Sequence, residues 1–542
     1  MDQVKQLYMG KLNWSLTLCI LIGMALSACT NSNVKPSEIN SEQPPNVLFI
    51  LTDNQAASLI GTYGNPDIKT PHMDKLAKSG VKFTSAFAVN GMCSPTRATL
   101  MTGLMPSQHG LHNWLDDEQM ENWPRDWSAI AEYRTLPYAL SENGYQTALI
   151  GKWHLGQPWQ ASIGYQHWLT FTAGHTLDFW NNTIVENDKT YDVKDKHVVE
   201  FFADKAIEYI QSRDTGKPFY LQLNLDGPYV NPPTNMGPAK NNRYPEYENA
   251  ELKSFPRTEV SSNYTDQLGA LLEAGRENEF ETRMLQSVMK MSGDHATRAN
   301  IASQNAYVDD QVGRVLDALA DLGYAKNTLV ILSSDQGNFY GQHGLWTHTT
   351  LSKPTNLYEA ALHIPLIFSH EGAIEQGRIS DQLIGQYDIP STILDYVGIE
   401  KSDFADSPGR SFAPLLSQKN STPPQDNARP IFYEQEETRG IRTRDFAYWK
   451  TIEGLGSPSL FDMQSDPGQT QNLTNNPTYT DVISELDTQL EHFFEEYSNP
   501  RYDLWKGGVA KGSVLRPDTF KQLYGSEWET ESEIKPVYKT HQ

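Results

Sequence analysis

Short apolar runs that end in polar clusters recur along the chain. Residues 46–55, NVLFILTDNQ, are apolar almost without interruption and then turn polar, which predicts a strand buried on both faces. Residues 70–83, TPHMDKLAKSGVKF, carry helical apolar spacing closed by Gly80. Residues 136–156 read as a helix, a glycine turn, a strand and the polar tip GKWHLG. The same alternation continues through 196–212 (helix), 218–228 (PFYLQLNLDGP, strand), 304–323 (amphipathic helix) and 327–337 (NTLVILSSDQG, strand). ALHIPLIFS at 361–369 and YDIPSTILDYVG at 387–398 extend it. Strands alternating with helices predict an α/β fold, a large sheet flanked by helices. Sites in such folds gather beyond the carboxyl ends of the strands, and TDNQ, GKWHLG and SSDQGN all occupy that position.

Past residue 420 the texture changes. STPPQDNARP reads as a linker, 431–453 has strand composition, SLFDMQSDPGQTQNL is turn-rich, and 482–497 is an amphipathic helix. The expectation is a smaller C-terminal subdomain over 421–542, an antiparallel sheet with a helix, beside a catalytic domain over 46–420. The tail from about residue 500 shows no regular pattern.

The N-terminus changes the picture of where the chain works. Lys5 and Lys11 precede the apolar run SLTLCILIGMAL at 15–26, which is too short for a comfortable membrane span and fits a signal peptide over 1–28. Its end, LSAC, resembles the lipobox of bacterial lipoproteins, which implies lipidation at Cys29, with residues 29–45 as a flexible tether. The expectation is an exported lipoprotein of the outer membrane, facing the periplasm or the cell surface and touching membrane through its lipid alone. The formal net charge of −23 argues against nucleic acid as a partner. Of the three cysteines, only Cys93 lies outside the export segment, so no disulfide is available to it after processing.

Cys93 opens the stretch CSPTRATLMTG, and this resembles C-x-P-x-R, the signature of the type I sulfatases. NVLFILTDNQ, GKWHLG and SSDQGNFYGQHGLW stand in the order found in that family, and Lys353 with YEAALHIPLIF follows. The resemblance covers roughly residues 45–420, with an echo in SLFDMQSDPGQTQNL. It implies an alkaline-phosphatase-like mixed sheet and hydrolysis of sulfate esters. It also implies that a separate maturation enzyme oxidises Cys93 to formylglycine, whose hydrate attacks sulfur and then expels sulfate to restore the aldehyde. Arg97 would hold that hydrate. Asp53, Asn54, Asp335 and Gln336, with residue 93, would hold a metal, and these hard oxygen donors suit calcium, with magnesium the lesser choice. Asn54 replaces the more usual aspartate. Lys152 and Lys353 would clamp sulfate, and His154 would serve as a base.

One departure stands out. Where relatives carry Pro-His after the PFYLQLNL strand, this chain has Pro228-Tyr229. His343 is the first candidate to replace that histidine as general acid, and His175 the second, with His175 and Tyr229 expected to contact substrate. Sulfated polysaccharides or their oligosaccharides are the expected substrates, and Trp114, Trp123, Trp127, Trp168 and Trp180 are candidate sugar platforms. Two other readings share these residues: a phosphodiester or phosphonate hydrolase on the same scaffold, and a catalytically silent glycan-binding lipoprotein. A two-zinc phosphatase would want more histidine ligands.

Overall fold

The structure, a computed structural model, describes residues 44–531 except 116–122, 177, 230–240, 401–403 and 417–428. The signal sequence, Cys29 and nearly all of the tether lie outside the described residues, as does most of the proposed linker.

A ten-stranded mixed sheet is the frame. Its central strand, β1 (Asn46–Thr52), lies parallel to two neighbours far away in sequence, β7 (Phe219–Asn224) and β8 (Thr328–Ser334). On the β7 side follow β3 (Gln146–Gly151), β4 (His167–Phe171), β5 (Asn182–Glu186) and β6 (Lys189–Val193). On the β8 side follow β11 (His363–Ser369), β2 (Val81–Phe87) and β12 (Arg378–Gly385). β11 runs antiparallel to both β8 and β2, which makes the sheet mixed. A two-stranded piece, β9 (Phe339–Tyr340) and β10 (Trp346–Thr347), stands apart from it.

The apolar runs are explained by helices on both faces. Val47, Phe49 and Leu51 enter one core with the helices Cys93–Thr102, Leu136–Glu142 and Asp388–Tyr396. Leu48 and Ile50 enter the other, with Pro71–Lys78, Val198–Ser212 and His295–Asp321. All five side chains are fully buried. At about 1.5–3 kcal/mol each, they contribute on the order of 10 kcal/mol before chain entropy is counted. The Gly80-closed helix is shorter than its spacing suggests: it ends at Lys78, and Val81 already begins β2.

The C-terminal part is a four-stranded antiparallel sheet, β13 (Ile431–Gln435), β14 (Thr438–Arg442), β15 (Phe446–Thr451) and β16 (Ser459–Asp462), with the helix Thr480–Glu496 against it. Phe432, Ile441, Tyr448, Leu460 and the helix residues Leu486, Leu490 and Phe493 share one core with Val89, Met105 and Tyr387. The tail, featureless in sequence, packs as well: Leu504, Ala510, Val514, Phe520 and Trp528 form a cluster.

Candidate active site

β1 and β8 pair in register, Thr52 opposite Ser334, so the next residue on each strand, Asp53 and Asp335, emerges beside the other. Cys93 is the first residue of the helix Cys93–Thr102, all ten residues of which are buried. Its Sγ lies 3.9 Å from Asp53 Oδ1, 3.5 Å from Lys152 Nζ and 3.2 Å from Gln336 Nε2. Arg97 stands one helical turn further on, on the same face. Its Nη2 donates to Asp53 Oδ2 at 2.9 Å and to Asp335 Oδ2 at 2.8 Å, its Nε to Asp335 Oδ2 at 3.1 Å, and its Nη1 to the Lys152 carbonyl at 3.1 Å.

Lys152 follows β3, and Gly151 makes its position possible. Gly151 has φ +111°, and a Cβ there would sit 1.9 Å from the Asn224 carbonyl oxygen, so only glycine lets β3 end this close to β7. Lys152 Nζ then reaches Asp53 Oδ2 at 2.6 Å and Asp226 Oδ1 at 3.6 Å, and lies 4.7 Å from the centre of the Tyr229 ring. A row of rings continues outward: His154 and His175 centroids are 5.6 Å apart, and His175 and Tyr229 are 5.7 Å apart. His154 Nε2 is bonded to the Leu115 carbonyl at 3.0 Å, while its buried Nδ1 has no partner. Asn54 and His154 both hold left-handed backbone, φ +59° and +57°, the kind of local strain that a site retains.

The cluster is buried, and burial sets its electrostatics. Burial would raise Asp53, but Lys152 and Arg97 outweigh it and hold the carboxyl below its usual value. Burial and the charge of Asp53 push Asp335 up to about 6 against the pull of Arg97. Burial pushes Asp226 up to about 7 despite Lys152. Burial opposes the charge on Lys152, yet Asp53 and its other anionic neighbours raise it well above the usual value. The Cys93 thiol is pushed far up by burial and then by Asp53, so it stays protonated and is a poor thiolate nucleophile. Burial, then Lys152, keeps His154 neutral.

A metal fits this donor set. One atom each from Asp53, Cys93 and Asp335 lies within 4.8 Å of the others. Asn54 Oδ1 accepts from Gln336 Nε2 at 2.6 Å and contacts His348 Nε2 at 3.2 Å, leaving Asn54 Nδ2 buried and unpartnered. Asp53 and Asp335 offer such an ion hard carboxylate oxygens.

The structure brings together Asp53, Asn54, Cys93, Arg97, Lys152, Asp335 and Gln336, with His154, His175 and Tyr229 alongside. It does not bring in two expected residues. His343 stacks on Tyr358 with centroids 3.9 Å apart and lines a separate cavity of about 490 Å³ with Ala56, Glu359, His363 and Gln469. The loop after β9 turns its ring away because Gly341–Gly344 folds back on residues 258–261. Lys353 is exposed and lines another cavity with Asp266, Arg276 and Arg516. Trp127 and Trp168 are core residues, at 1 % and 0 % exposure, and cannot be sugar platforms. Two members were missed. Asp226 carries the same signal as Asp53, an acid just past a central strand, and could have been found. His348 follows β10 and has no motif of its own; only the fold brings it to Asn54.

The model of the family described as sulfatase matches residues 45–399, and that described as N-sulphoglucosamine sulphohydrolase, C-terminal, matches 342–496. An N-acetylglucosamine-6-O-sulfatase of Bacteroides thetaiotaomicron is 27% identical, over 90% of this chain and 92% of its own. An ulvan-active sulfatase of Formosa agariphila is 25% identical, over 92% and 94%. Among solved structures, one bound to its substrate D-glucosamine-2-N,6-O-disulfate superposes with TM-score 0.62 at 23% identity, over 84% of this chain and 98% of its own. The phosphonate monoester hydrolase of Agrobacterium radiobacter shares the fold, with TM-score 0.59 at 19% identity, over 83% of this chain and 96% of its own. A signature cysteine set between paired strand-end acids, on a sheet of this order, and a family model spanning most of the chain lead to one conclusion: the protein belongs to the sulfatase family, enzymes that hydrolyse sulfate esters.

Proposed function

We propose that this sulfatase removes sulfate from sulfated carbohydrates, using formylglycine made from Cys93 and one calcium ion. The observation that carries the reading is the placement of Cys93. It is a buried, protonated thiol at a helix start, between two strand-end acids and two cations. Such a thiol is a poor nucleophile, whereas formylglycine at that point would supply a hydrated aldehyde as a self-resetting nucleophile. Asp53, Asp335, Asn54 and Gln336 would hold the calcium ion, which would add positive charge beside the sulfate oxygens.

The chain's own residues would do the rest. Arg97 fixes both carboxylates and, through the Lys152 carbonyl, the segment carrying Lys152. Arg97 and Lys152 offset most of the charge of Asp53, Asp335 and Asp226, so a divalent ion would leave surplus positive charge suited to a sulfate monoester. Lys152 and His348 would hold sulfate oxygens. His154, kept neutral with a free Nδ1, suits a base. His175 and Tyr229, adjoining in the ring row, would face the leaving oxygen, replacing His343 in that role. Carbohydrate as the substrate class is supported by the sugar sulfates named for the relatives above. Export, lipidation at Cys29 and an outer-membrane address rest on the N-terminal sequence.

The test is to produce the protein with a formylglycine-generating enzyme, confirm the modified peptide by mass spectrometry, and screen sugar sulfates, aryl sulfates and an aryl phosphonate. Sugar-sulfate turnover that chelation abolishes and calcium restores is the expected result. Phosphonate turnover exceeding sulfate turnover would favour the phosphonate hydrolase reading, and full activity with an unmodified Cys93 would refute formylglycine as the nucleophile. Labelled palmitate incorporated in the wild type but not in Cys29→Ser would support lipidation.

A further inference from the structure

Three neighbouring strands meet at one lysine. β1 and β7 run parallel with Leu51 opposite Asn224, so Asp53 and Asp226, each two residues further on, emerge side by side. β7 pairs with β3 along its other edge, Gly151 opposite Asn224, and this delivers Lys152 to the same place. The Gly227 carbonyl accepts the Asp53 N–H at 3.1 Å and ties the two acidic strand ends together. The Lys152 backbone is held on both sides. Its N–H donates to the Asn224 carbonyl at 3.1 Å, and its carbonyl accepts from Asn224 Nδ2 at 2.7 Å and from Arg97 Nη1 at 3.1 Å. With that backbone pinned, Lys152 changes partners only by turning its side chain.

The two acids are not used alike. Lys152 Nζ sits 2.6 Å from Asp53 Oδ2 but 3.6 Å from Asp226 Oδ1. Asp53 Oδ2 is also taken by Arg97 Nη2, at 2.9 Å. Asp226 Oδ2 accepts the Thr176 N–H at 3.4 Å, whereas Asp226 Oδ1 is buried without a hydrogen-bond partner. An unpaired carboxylate oxygen in the interior is costly. Closing the 3.6 Å gap to a hydrogen bond takes a movement of about 1 Å, well within the reach of a flexible four-carbon stem.

Asp53 is the acid that a metal would take, together with Asp335. A divalent cation there would repel an ammonium held against the same carboxylate. Lys152 is 0 % exposed, so its charge cannot move out to water. Among the described residues, Asp226 is the other carboxylate within ion-pair distance of Nζ.

We propose that Asp226 is a positioning residue for Lys152, taking over its ammonium from Asp53 when a cation engages Asp53. Lys152 would then stay charged beside residue 93, whose Sγ it approaches at 3.5 Å. Asp226 acts through Lys152 and touches neither the ion nor the ester. The inference rests on the calcium reading of the site.

The test is a double-mutant cycle on calcium affinity. Wild type, Asp226→Asn, Lys152→Met and the double variant are made with Cys93 modified, stripped with chelator and titrated with calcium chloride in a calorimeter. Burial already pushes Asp226 up to about 7, so the neutral, isosteric Asn should leave the melting temperature in chelator within a few degrees of wild type. Asp226→Asn should weaken calcium binding about tenfold or more, because Lys152 then stays on Asp53 and competes with the ion. In the Lys152→Met background the same substitution should cost less than about threefold. A loss as large in that background would mean that Asp226 attracts the ion directly, and would overturn the proposal. So would a loss below about threefold with Lys152 present. Should Lys152→Met not fold, Lys152→Gln closes the same cycle. A wild type that binds no calcium would overturn the calcium reading and the role of Asp226 together. Calcium binding that Asp226→Asn leaves unchanged would overturn the role of Asp226 alone.

Discussion

Replacing Arg97 by alanine tests the electrostatic account of the site most directly. Arg97 makes three hydrogen bonds to the carboxylates of Asp53 and Asp335, at 2.8–3.1 Å, in a cluster where all three side chains are at most 2 % exposed. Without it, Lys152 alone faces the acids. Removing one partner from a buried ion cluster costs about 3–5 kcal/mol, chiefly for the charge left behind. Unfolding entropy scales at about 2.1 cal/mol/K per residue, so a unit of nearly 500 residues loses roughly 1 °C per kcal/mol, a fall of about 3–5 °C in Tm if it unfolds cooperatively. The sign of the calcium effect is the sharper readout. A divalent ion brings back the missing positive charge, so calcium should raise the Tm of Arg97→Ala by more than it raises that of the wild type. The assay is thermal unfolding of both proteins in chelator and in calcium. A loss below 1 °C in chelator, or a calcium increment no larger than the wild type's, would refute this charge balance.

Mass analysis of the tryptic peptide across Cys93 should show about 18 Da lost after co-expression with a maturation enzyme, and Cys93→Ala should abolish turnover. Lys152→Ala should lower aryl-sulfate kcat/KM by at least about 10²-fold, whereas Lys353→Ala, exposed and in another cavity, should stay within threefold of wild type. His343→Ala should leave the ratio of sugar-sulfate to aryl-sulfate turnover unchanged, while His175→Ala should lower it; the kinetics on both substrates decide. His197 caps the helix Val198–Ser212 by accepting the Val199 N–H at Nδ1, which requires a neutral ring, and burial lowers it to about 3. The unfolded chain therefore takes up this proton first, and stability falls as pH drops from about 6.5 toward 3, by up to about 1.4 kcal/mol per pH unit. His197→Asn, which can still cap, should be less stable at pH 7 yet show a flatter dependence of Tm on pH between 6.5 and 4.5.

The parts of the site legible in sequence were those tied to strand ends. Asp53, Lys152 and Asp335 follow buried apolar runs, and burial on both faces writes itself into such runs. Cys93 and Arg97 were legible because CSPTR resembles the sulfatase signature C-x-P-x-R; that they stand one helical turn apart on a buried helix is added by the fold. His343 misled because nearness in sequence to Asp335 says nothing about a loop that folds back on residues 258–261. His348 was invisible for the opposite reason: its contact with Asn54 spans 294 positions. The tail past residue 500 lacked periodicity because it is held by scattered contacts rather than by a regular face. Lys511, for example, donates to the Ala129 carbonyl at 2.9 Å and pairs with Glu132, and Ser513 Oγ donates to the Trp114 carbonyl.

The burial of Cys93 also imposes an order of events in time. At 3 % exposure, on a helix with no solvent-facing residue, it is closed to any second enzyme once the chain has folded. An enzyme that oxidises it must act while the chain is still open, before β8 lays Asp335 and Gln336 over the thiol and before the β13–β14 hairpin seals Gly91. Those covering segments are made more than 230 residues after the cysteine, so synthesis itself keeps the window open. Maturation and folding would then compete for one atom, and conditions that speed folding without speeding oxidation would yield a well-folded, permanently silent protein.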